Sequence, residues 1–257
     1  MADLEALIFD VDGTLADTER DGHRVAFNRA FADAGLDWDW TVEVYGDLLT
    51  VTGGKERMKY FLEKYRPDFA VDGDLDEFVA GLHAAKTEHY KKLMADPGLP
   101  LRPGVARLLR EAREAGLRLA IATTTTPANV TALLKHSLAE DAEDWFEVIA
   151  AGDIVPAKKP APDIYLWAME QMNIAPDRCL AFEDSDNGVK SVAGAGIRSL
   201  LVTVNDYTRD HDFSGATVVV DHLGEPENPC SVIQGPPLVQ GLVDVDALKA
   251  IHEHATS

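Results

Sequence analysis

Residues 6–14 of the chain read ALIFDVDGT, an apolar run of four residues followed by two aspartates, a glycine and a threonine. An uninterrupted apolar run is typical of a strand that is covered on both faces of a parallel sheet. Three later runs end just as abruptly in polar, small or acidic residues. They are residues 119–122, 148–151 and 179–182. The sequence therefore predicts four buried parallel strands.

Segments with helical periodicity lie between and after these predicted strands, at residues 105–115, 163–172 and 188–195. Alternating strands and helices predict an α/β fold with a doubly wound, Rossmann-like parallel sheet. Residues 17–97 break this alternation, because they are mostly helical in pattern and rich in charge. We therefore predict an inserted helical cap domain at 17–97 and a core domain formed by 1–16 and 98–257.

The end of the chain has a different composition. Residues 224–241 contain four prolines, which predicts an irregular surface arm. A helical pattern follows at residues 245–254.

The sequence is strongly acidic, with 44 acidic and 24 basic residues among 257 and a formal net charge of -20. This charge disfavours extended contact with nucleic acid or with anionic membranes. An anionic substrate requires local cations or a bound metal ion in the site. The chain has no apolar run of membrane-spanning length and no basic leader, so we expect a cytoplasmic protein. We also expect a monomer.

Asp10 and Asp12 follow the first predicted strand and are one residue apart. Residues just beyond the carboxyl end of a strand reach the ligand crevice of an open α/β sheet. One carboxylate can attack phosphorus, and the other can protonate the leaving oxygen and later deprotonate water. We assign Asp10 as nucleophile and Asp12 as acid/base, with Gly13 allowing a sharp turn. Taken alone, this pattern fits a calcium loop or a plain turn equally well.

Glu183 and Asp184 end a later strand in the same way. Adjacent carboxylates repel one another unless a cation lies between them, and Mg²⁺ suits oxygen ligands. We predict that Asp10, the main-chain oxygen of Asp12 and Asp184 hold Mg²⁺, and that Glu183 contacts it directly or through water. In isolation, a Glu-Asp pair is more often a solvated loop.

Thr123 and the pair Lys158-Lys159 complete the set. Thr123 lies where a strand ends and a helix begins near Pro127, so its hydroxyl and nearby N–H groups suit a phosphate oxygen. Lys158 and Lys159 lie in a loop, where one of the two ammonium groups would neutralise charge on the transferring group. Alone, a threonine-rich turn is typical of a helix cap, and a pair of lysines is typical of a solvated surface. The order Asp-x-Asp, Thr, Lys, Glu-Asp at successive strand ends makes the set specific.

These four motifs resemble those of the haloacid dehalogenase superfamily, and the insertion resembles the cap of its β-phosphoglucomutase and phosphoglycolate phosphatase branch. That cap closes over substrate and excludes water. Within the branch, residues 52–57, 83–87, 122–125 and 148–153 are similar to CbbY-type phosphatases, which act on xylulose 1,5-bisphosphate, an inhibitor of Rubisco. The resemblance implies a Mg²⁺-dependent phosphatase that acts on a small phosphorylated metabolite and is associated with carbon fixation.

The same resemblance implies substrate-binding residues. Basic residues of the cap would meet a second phosphate, and Glu19 and His23 would meet sugar hydroxyls. The implied set is Glu19, His23, Gly53, Gly54, Lys55, Arg57, Lys86, Thr123, Thr124, Asn129 and Lys159. Between Asp12 and His23 the chain is one residue longer than the usual spacing of this branch.

Two related activities stay open. A sugar-phosphate mutase would use the same two aspartates but return the phosphoryl group to the reoriented intermediate, and a phosphoglycolate phosphatase would differ only in its substrate. A signalling receiver domain is excluded by order, because its phosphorylated aspartate ends a middle strand, whereas Asp10 ends the first.

Overall fold

The computed structural model describes residues 3–51, 53–71, 73–96 and 98–257. All four predicted apolar runs form strands within this part of the chain, and three further strands follow them. The strands are β1 (Ala6–Phe9), β2 (Arg118–Thr123), β3 (Val148–Ala151), β4 (Cys179–Glu183), β5 (Ser199–Thr203), β6 (Val218–Val220) and β7 (Val232–Gln234). Within the described residues they form one sheet in the order β3-β2-β1-β4-β5-β6-β7.

The first strand lies inside the sheet and fixes the position of the motifs. β1 pairs in parallel with β2 on one side and with β4 on the other. Every residue of β1 is fully buried, as its continuous apolar pattern requires. Because parallel strands end at the same edge, the residues that follow β1, β2 and β4 lie at one carboxyl edge. The predicted doubly wound α/β sheet is confirmed.

Helices occupy the segments between the strands. Those of the core are α5 (Val105–Glu114), α6 (Pro127–Ser137), α7 (Asp163–Met172), α8 (Asp186–Gly194) and α9 (Val245–Thr256). α8 begins two residues before the helical pattern predicted from Gly188, because Ser185 is its N-cap and its Oγ accepts a 3.2 Å hydrogen bond from the N–H of Gly188.

The chain divides into two compact units. One unit is Met1–Asp17 with Pro100–Ser257, and the other is Thr18–Leu99. The predicted boundaries were 16/17 and 97/98, so each differs by one or two residues. Pro97, the predicted last residue of the cap, lies outside the described residues.

The second unit is helical. Its helices are α1 (Arg24–Asp33), α2 (Val42–Leu48), α3 (Gly54–Tyr65) and α4 (Leu75–Ala95). Their buried faces meet around aromatic side chains, among them Phe31, Trp38, Trp40 and Phe61. Trp40 packs against both Phe31 and Phe61, with ring centroids 4.9 and 5.5 Å apart. Aromatic burial of this kind supplies most of the packing that a small helical unit needs.

A π-helical turn, Thr18–His23, precedes α1. Such turns are rare and place more residues in each turn than an α-helix does. This turn contains residues 20–22, the segment in which we predict one residue more than the usual spacing. Gly22 is needed there, because a Cβ on it would lie 2.9 Å from side-chain atoms of Tyr90 and Leu99.

The prediction of an irregular arm at residues 224–241 was wrong in part. Val232–Gln234 forms β7, which pairs antiparallel with β6 and extends the sheet. Cys230, just before this strand, is buried. The four prolines obscured this short strand, because they are concentrated on either side of it. Among the described residues no helix combines the length and apolar character needed to cross a bilayer.

Candidate active site

A pocket of about 270 Å³ opens at the carboxyl edge of the sheet in the first unit. Residues that follow β1, β2 and β4 surround it, together with residues of the loop before α7. Its lining consists of Asp10, Asp12, Thr124, Lys158, Lys159, Glu183, Asp184, Ser185 and Asn187. The pocket therefore unites the two aspartates of residues 6–14, the Glu-Asp pair and the predicted lysine.

Lys159 joins two of the carboxylates. Its Nζ lies 2.6 Å from Oδ1 of Asp10 and 2.6 Å from Oε1 of Glu183. All three side chains are at most 9% exposed. Burial opposes the charged ammonium, but the adjacent Asp10 and Glu183 carboxylates outweigh it and raise the pKa of Lys159. Lys159 is therefore a fixed positive charge in this pocket.

The contact with Lys159 does not fully stabilise the ionised carboxylate of Asp10. Burial raises the pKa of Asp10 well above its usual range, Lys159 opposes that change, and Glu183 and Asp184 reinforce it. One ammonium thus faces three buried acidic groups. The protein alone leaves the negative charge of these groups incompletely balanced.

The excess negative charge fits a bound cation. Asp10, Glu183 and Asp184 each offer one oxygen, and these three oxygens lie within 4.8 Å of one another. Burial and the neighbouring Glu183 raise the pKa of Asp184 to about 7, although the Asn205 amide lowers it. Clustered carboxylate oxygens are the ligands that Mg²⁺ prefers. The donor set therefore fits the predicted metal.

Gly13 is required by the packing of this pocket. Its φ is +86°, and a Cβ on it would lie 2.2 Å from Oδ2 of Asp184. Any side chain at this position would collide with Asp184 and strain the backbone. Gly13 therefore brings the Asp10–Asp12 loop against the Glu-Asp pair.

The threonine motif is arranged differently from the prediction for Thr123. Thr123 is fully buried, and its Oγ1 accepts a 3.2 Å hydrogen bond from the N–H of Thr125. Thr124 lines the pocket instead. Asn129 lies in the first turn of α6, where its Nδ2 donates a 3.2 Å hydrogen bond to Oγ1 of Thr125. Thr123 thus supports the turn, Thr124 is placed at the pocket, and Asn129 steadies the intervening Thr125.

The second unit brings predicted cap residues together in two groups. In the first group, Glu19 Oε2 accepts a 2.5 Å hydrogen bond from the Tyr45 hydroxyl and lies 3.7 Å from Nη1 of Arg57. Nη1 of Arg57 also donates to the Tyr45 hydroxyl at 3.2 Å, and its Nε donates to the carbonyl of Val51 at 3.0 Å. The Arg57 guanidinium is therefore held in one orientation.

The second group contains His23 and Lys86. Lys86 Nζ lies 2.8 Å from Nδ1 of His23 and over the rings of Phe27 and Tyr90, while His23 stacks on Tyr90 at 4.1 Å. Burial lowers the pKa of Lys86 to about 8 and that of His23 to about 4. His23 is thus neutral near pH 7 and accepts from the ammonium of Lys86. Lys86 is 8% exposed, unlike most helical lysines.

The glycine loop before α3 shows mainly a packing role. A Cβ on Gly54 would lie 2.7 Å from Nε2 of His83, and a Cβ on Gly53 would meet the carboxylate of Glu56. Lys55 is exposed, and it belongs to neither of the two groups described above. Thr52, part of the resembling stretch 52–57, lies outside the described residues.

Three residues that contact the predicted residues were not themselves predicted. Tyr165 donates a 2.6 Å hydrogen bond to Glu183, Asn205 Nδ2 donates a 2.7 Å hydrogen bond to Asp184, and Tyr45 joins Glu19 to Arg57. Asn205 could have been found, since it follows the apolar stretch of β5 as Asp10 follows β1. Tyr165 and Tyr45 lie within helical patterns that give no comparable signal.

Comparison with known proteins identifies the family of the chain. A family model described as haloacid dehalogenase-like hydrolase matches residues 4–196. The CbbY protein encoded on a plasmid of Cupriavidus necator is 46% identical over 98% of this chain and 98% of its own length. CbbY of Rhodobacter capsulatus is 53% identical over 83% of this chain and 91% of its own length.

A solved structure of a CbbY protein is also similar to this chain. A crystal structure of a mutant CbbY from Rhodobacter sphaeroides in complex with xylulose-(1,5)bisphosphate is 47% identical, with a TM-score of 0.68. The match covers 85% of this chain and 94% of that one. The chain belongs to the haloacid dehalogenase-like hydrolase family. Within that family it is an enzyme of the phosphatase type and is similar to CbbY proteins.

Proposed function

We propose that the chain is a Mg²⁺-dependent phosphatase that hydrolyses a small sugar phosphate or bisphosphate through an aspartyl-phosphate on Asp10. The observation that carries this proposal is the meeting of Asp10, Lys159, Glu183 and Asp184 in one buried pocket, although they are far apart in sequence. The preferred substrate that we propose is xylulose 1,5-bisphosphate.

In the first step, a carboxylate oxygen of Asp10 attacks phosphorus. The bond from phosphorus to the sugar oxygen breaks as the new bond forms, and Asp12 donates a proton to the leaving oxygen. In the second step, Asp12 takes a proton from a water molecule that attacks the aspartyl-phosphate. Inorganic phosphate leaves, and Asp10 and Asp12 return to their starting forms.

Lys159 has a positioning and an electrostatic role in both steps. Its ammonium holds one oxygen of Asp10 at 2.6 Å, which restricts the rotation of the nucleophile. It also carries the positive charge that the transferring phosphoryl group requires. Thr124 would receive a phosphate oxygen, with Thr123 and Asn129 supporting the turn at Thr125.

The proposed metal ligands are Asp10, the main-chain oxygen of Asp12 and Asp184, with Glu183 in direct or water-mediated contact. When bound there, Mg²⁺ supplies positive charge that offsets the phosphate oxygens and the clustered carboxylates. Asp10 and Asp184 are 6% and 9% exposed, so bulk water does little to screen them.

The cap residues are proposed to recognise the rest of the substrate. Arg57 and Lys86 are held in place by hydrogen bonds and would bind a second phosphate, while Glu19 and His23 would contact sugar hydroxyls. The exposed Lys55 would add a weaker attraction for the same anion. The similarity to a CbbY that binds xylulose-(1,5)bisphosphate supports this choice of substrate.

The test is a product analysis on the purified protein. We expect xylulose 1,5-bisphosphate and Mg²⁺ to give stoichiometric inorganic phosphate and a sugar monophosphate, and we expect EDTA to abolish the reaction. An isomeric bisphosphate without phosphate release would contradict the phosphatase and indicate a mutase. Activity that survives thorough demetallation would contradict the metal site. A panel of other sugar phosphates and phosphoglycolate, assayed in parallel, ranks the substrates.

A further inference from the structure

Asp184 is oriented by a side chain outside the four family motifs. The Nδ2 of Asn205, which follows β5, donates a 2.7 Å hydrogen bond to Oδ2 of Asp184. The other end of the same amide, Oδ1, accepts a 2.9 Å hydrogen bond from the N–H of Tyr207. These two contacts fix which end of the amide faces the carboxylate. Asn205 can therefore act only as a donor to Asp184.

The turn that carries Asn205 is closed by its own hydrogen bonds. The N–H of Asn205 donates to Oγ1 of Thr208 at 3.1 Å, and the N–H of Thr208 donates to the carbonyl of Asn205 at 3.3 Å. Thr208 is 5% exposed. The backbone of Asn205 is thus held from two directions, and its side chain leaves a rigid base.

Arg102 forms hydrogen bonds with the backbone next to this turn. Its Nη2 donates to the carbonyls of Val204 and Asp221 at 2.6 and 2.7 Å. Its Nη1 donates to the carbonyls of Gly13 and Thr203, and its Nε lies 3.6 Å from Oδ1 of Asp17. The side chain is 6% exposed. One buried guanidinium therefore joins the Asp10–Asp12 loop to the segment before Asn205.

Gly13 packs against both Asp184 and Asn205. A Cβ on Gly13 would lie 2.2 Å from Oδ2 of Asp184 and 2.6 Å from Nδ2 of Asn205. The backbone after the nucleophile thus packs directly against the hydrogen bond between Asp184 and Asn205. The missing side chain at Gly13 leaves the space that these two atoms occupy.

We propose that Asn205 is a positioning residue that orients Asp184 as a Mg²⁺ ligand, and that Arg102 keeps Asn205 in register with the loop of the nucleophile. Hydrogen-bonding partners that orient a ligating carboxylate make the site stronger, because the ligand does not have to be ordered when the ion binds. The amide is neutral, so it orients Asp184 without neutralising it. The inference rests on the proposed Mg²⁺-dependent function.

The experiment is calorimetric titration of the metal-free protein with Mg²⁺, without substrate, in the wild type, in Asn205→Ala and in Arg102→Lys. We expect Asn205→Ala to raise the Kd for Mg²⁺ by about 10–100-fold. Arg102→Lys retains the charge but not the planar fork, so we expect a smaller rise. Turnover of Asn205→Ala should be low at limiting Mg²⁺ and recover toward the wild-type kcat at saturating Mg²⁺.

Ser199→Ala is the matched control. It removes a buried 2.7 Å hydrogen bond between Ser199, on β5 of the same sheet, and His252, on α9, without touching the site. We expect a lower Tm and an unchanged Kd for Mg²⁺. Asn205 is partly exposed, so truncation leaves the core intact.

Two results would overturn the inference. In the first, the wild type is active and binds Mg²⁺, and Asn205→Ala binds Mg²⁺ with the same Kd. This result would contradict the positioning role of Asn205 but not the proposed phosphatase activity. A wild type that binds no Mg²⁺ would remove both the positioning role and the metal site. The wild-type titration therefore distinguishes the two failures.

Discussion

The hydroxyl of Tyr165 and the ammonium of Lys159 meet at the same oxygen of Glu183, each at 2.6 Å. Lys159 also lies over the Tyr165 ring, 5.1 Å from its centroid. Burial and the nearby Glu183 raise the pKa of Tyr165 well above its usual range, so the hydroxyl remains a donor. Glu183 is 1% exposed, and these two groups replace the water that it loses on folding.

Tyr165→Phe should therefore destabilise the protein and loosen Lys159. A hydrogen bond to a charged group contributes about 1.5–3 kcal/mol, so we expect a loss of that order in the free energy of unfolding. Denaturant titration measures it. Tyr60→Phe is the control, since the Tyr60 hydroxyl accepts an exposed hydrogen bond from Lys64, and we expect a change below about 0.5 kcal/mol there. Equal effects in the two variants would contradict a special contact at Glu183.

Asp12→Ala removes the proposed proton donor and acceptor while leaving the nucleophile in place. We expect kcat to fall by about 10²–10⁴-fold, the usual contribution of general acid/base catalysis. The loss should shrink for a substrate whose leaving oxygen is already acidic, such as an aryl phosphate, because protonation matters less. Steady-state kinetics with the sugar substrate and the aryl phosphate would measure the two losses of kcat. A near-normal rate with the sugar substrate would assign the proton transfer to another group.

Arg57→Ala tests the proposed contact with the second phosphate. A lost charge-assisted hydrogen bond costs about 1.5–3 kcal/mol, so we expect KM for the bisphosphate to rise about 10–150-fold. The rise for a sugar monophosphate should be much smaller. Arg66→Ala is the control, because Arg66 pairs only loosely with the exposed Asp37, at 3.7 Å. An equal rise with both substrates would place Arg57 in a structural role.

The contact between His23 and Lys86 predicts a pH dependence of stability. Burial lowers the pKa of His23 from 6.5 to about 4, so between these values the unfolded chain binds a proton that the folded chain excludes. The contribution of His23 to the free energy of unfolding is therefore fully present above pH 6.5 and is lost as the pH falls toward 4. Lys86 also favours neutral His23, because a protonated ring would face its ammonium at 2.8 Å.

His23→Phe keeps a ring against Tyr90 but cannot be protonated. We expect the difference in unfolding free energy between wild type and variant to change across pH 4 to 6.5 and to level off above it. Comparing the two proteins at each pH removes the contribution of the acidic residues that both share. A constant difference over this range would contradict a depressed pKa for His23.

The buried strands were predictable because covered strands are continuously apolar. Ala6–Phe9 and Val148–Ala151 have the predicted bounds, and the two other runs are only slightly longer in the structure. The short strands β6 and β7 have three residues each, too few to stand out among neighbouring turns and prolines. β6 pairs with β5 and β7 pairs with β6, so each of them depends on a neighbouring strand that a local pattern does not express.

The acidic residues of the pocket were predictable by position, since Asp10, Glu183 and Asp184 lie in or next to strand ends on one edge, whereas Lys159 lies in the loop between β3 and α7. Residues that act through another side chain were not. Tyr165 and Asn205 are recognisable only once their partners are in place, because a tyrosine in a helix or an asparagine in a turn has many ordinary uses. The same holds for Tyr45 beside Glu19.

The central claim is that the phosphoryl group passes through Asp10. The direct measurement is acid quenching of the enzyme during turnover of xylulose 1,5-bisphosphate labelled in both phosphates, followed by mapping of the labelled peptide. The account predicts label on the peptide that contains Asp10, loss of that label in a hydroxylamine chase, and neither label nor turnover in a folded Asp10→Asn variant. Turnover without any covalent label, or label that persists in Asp10→Asn, would contradict it.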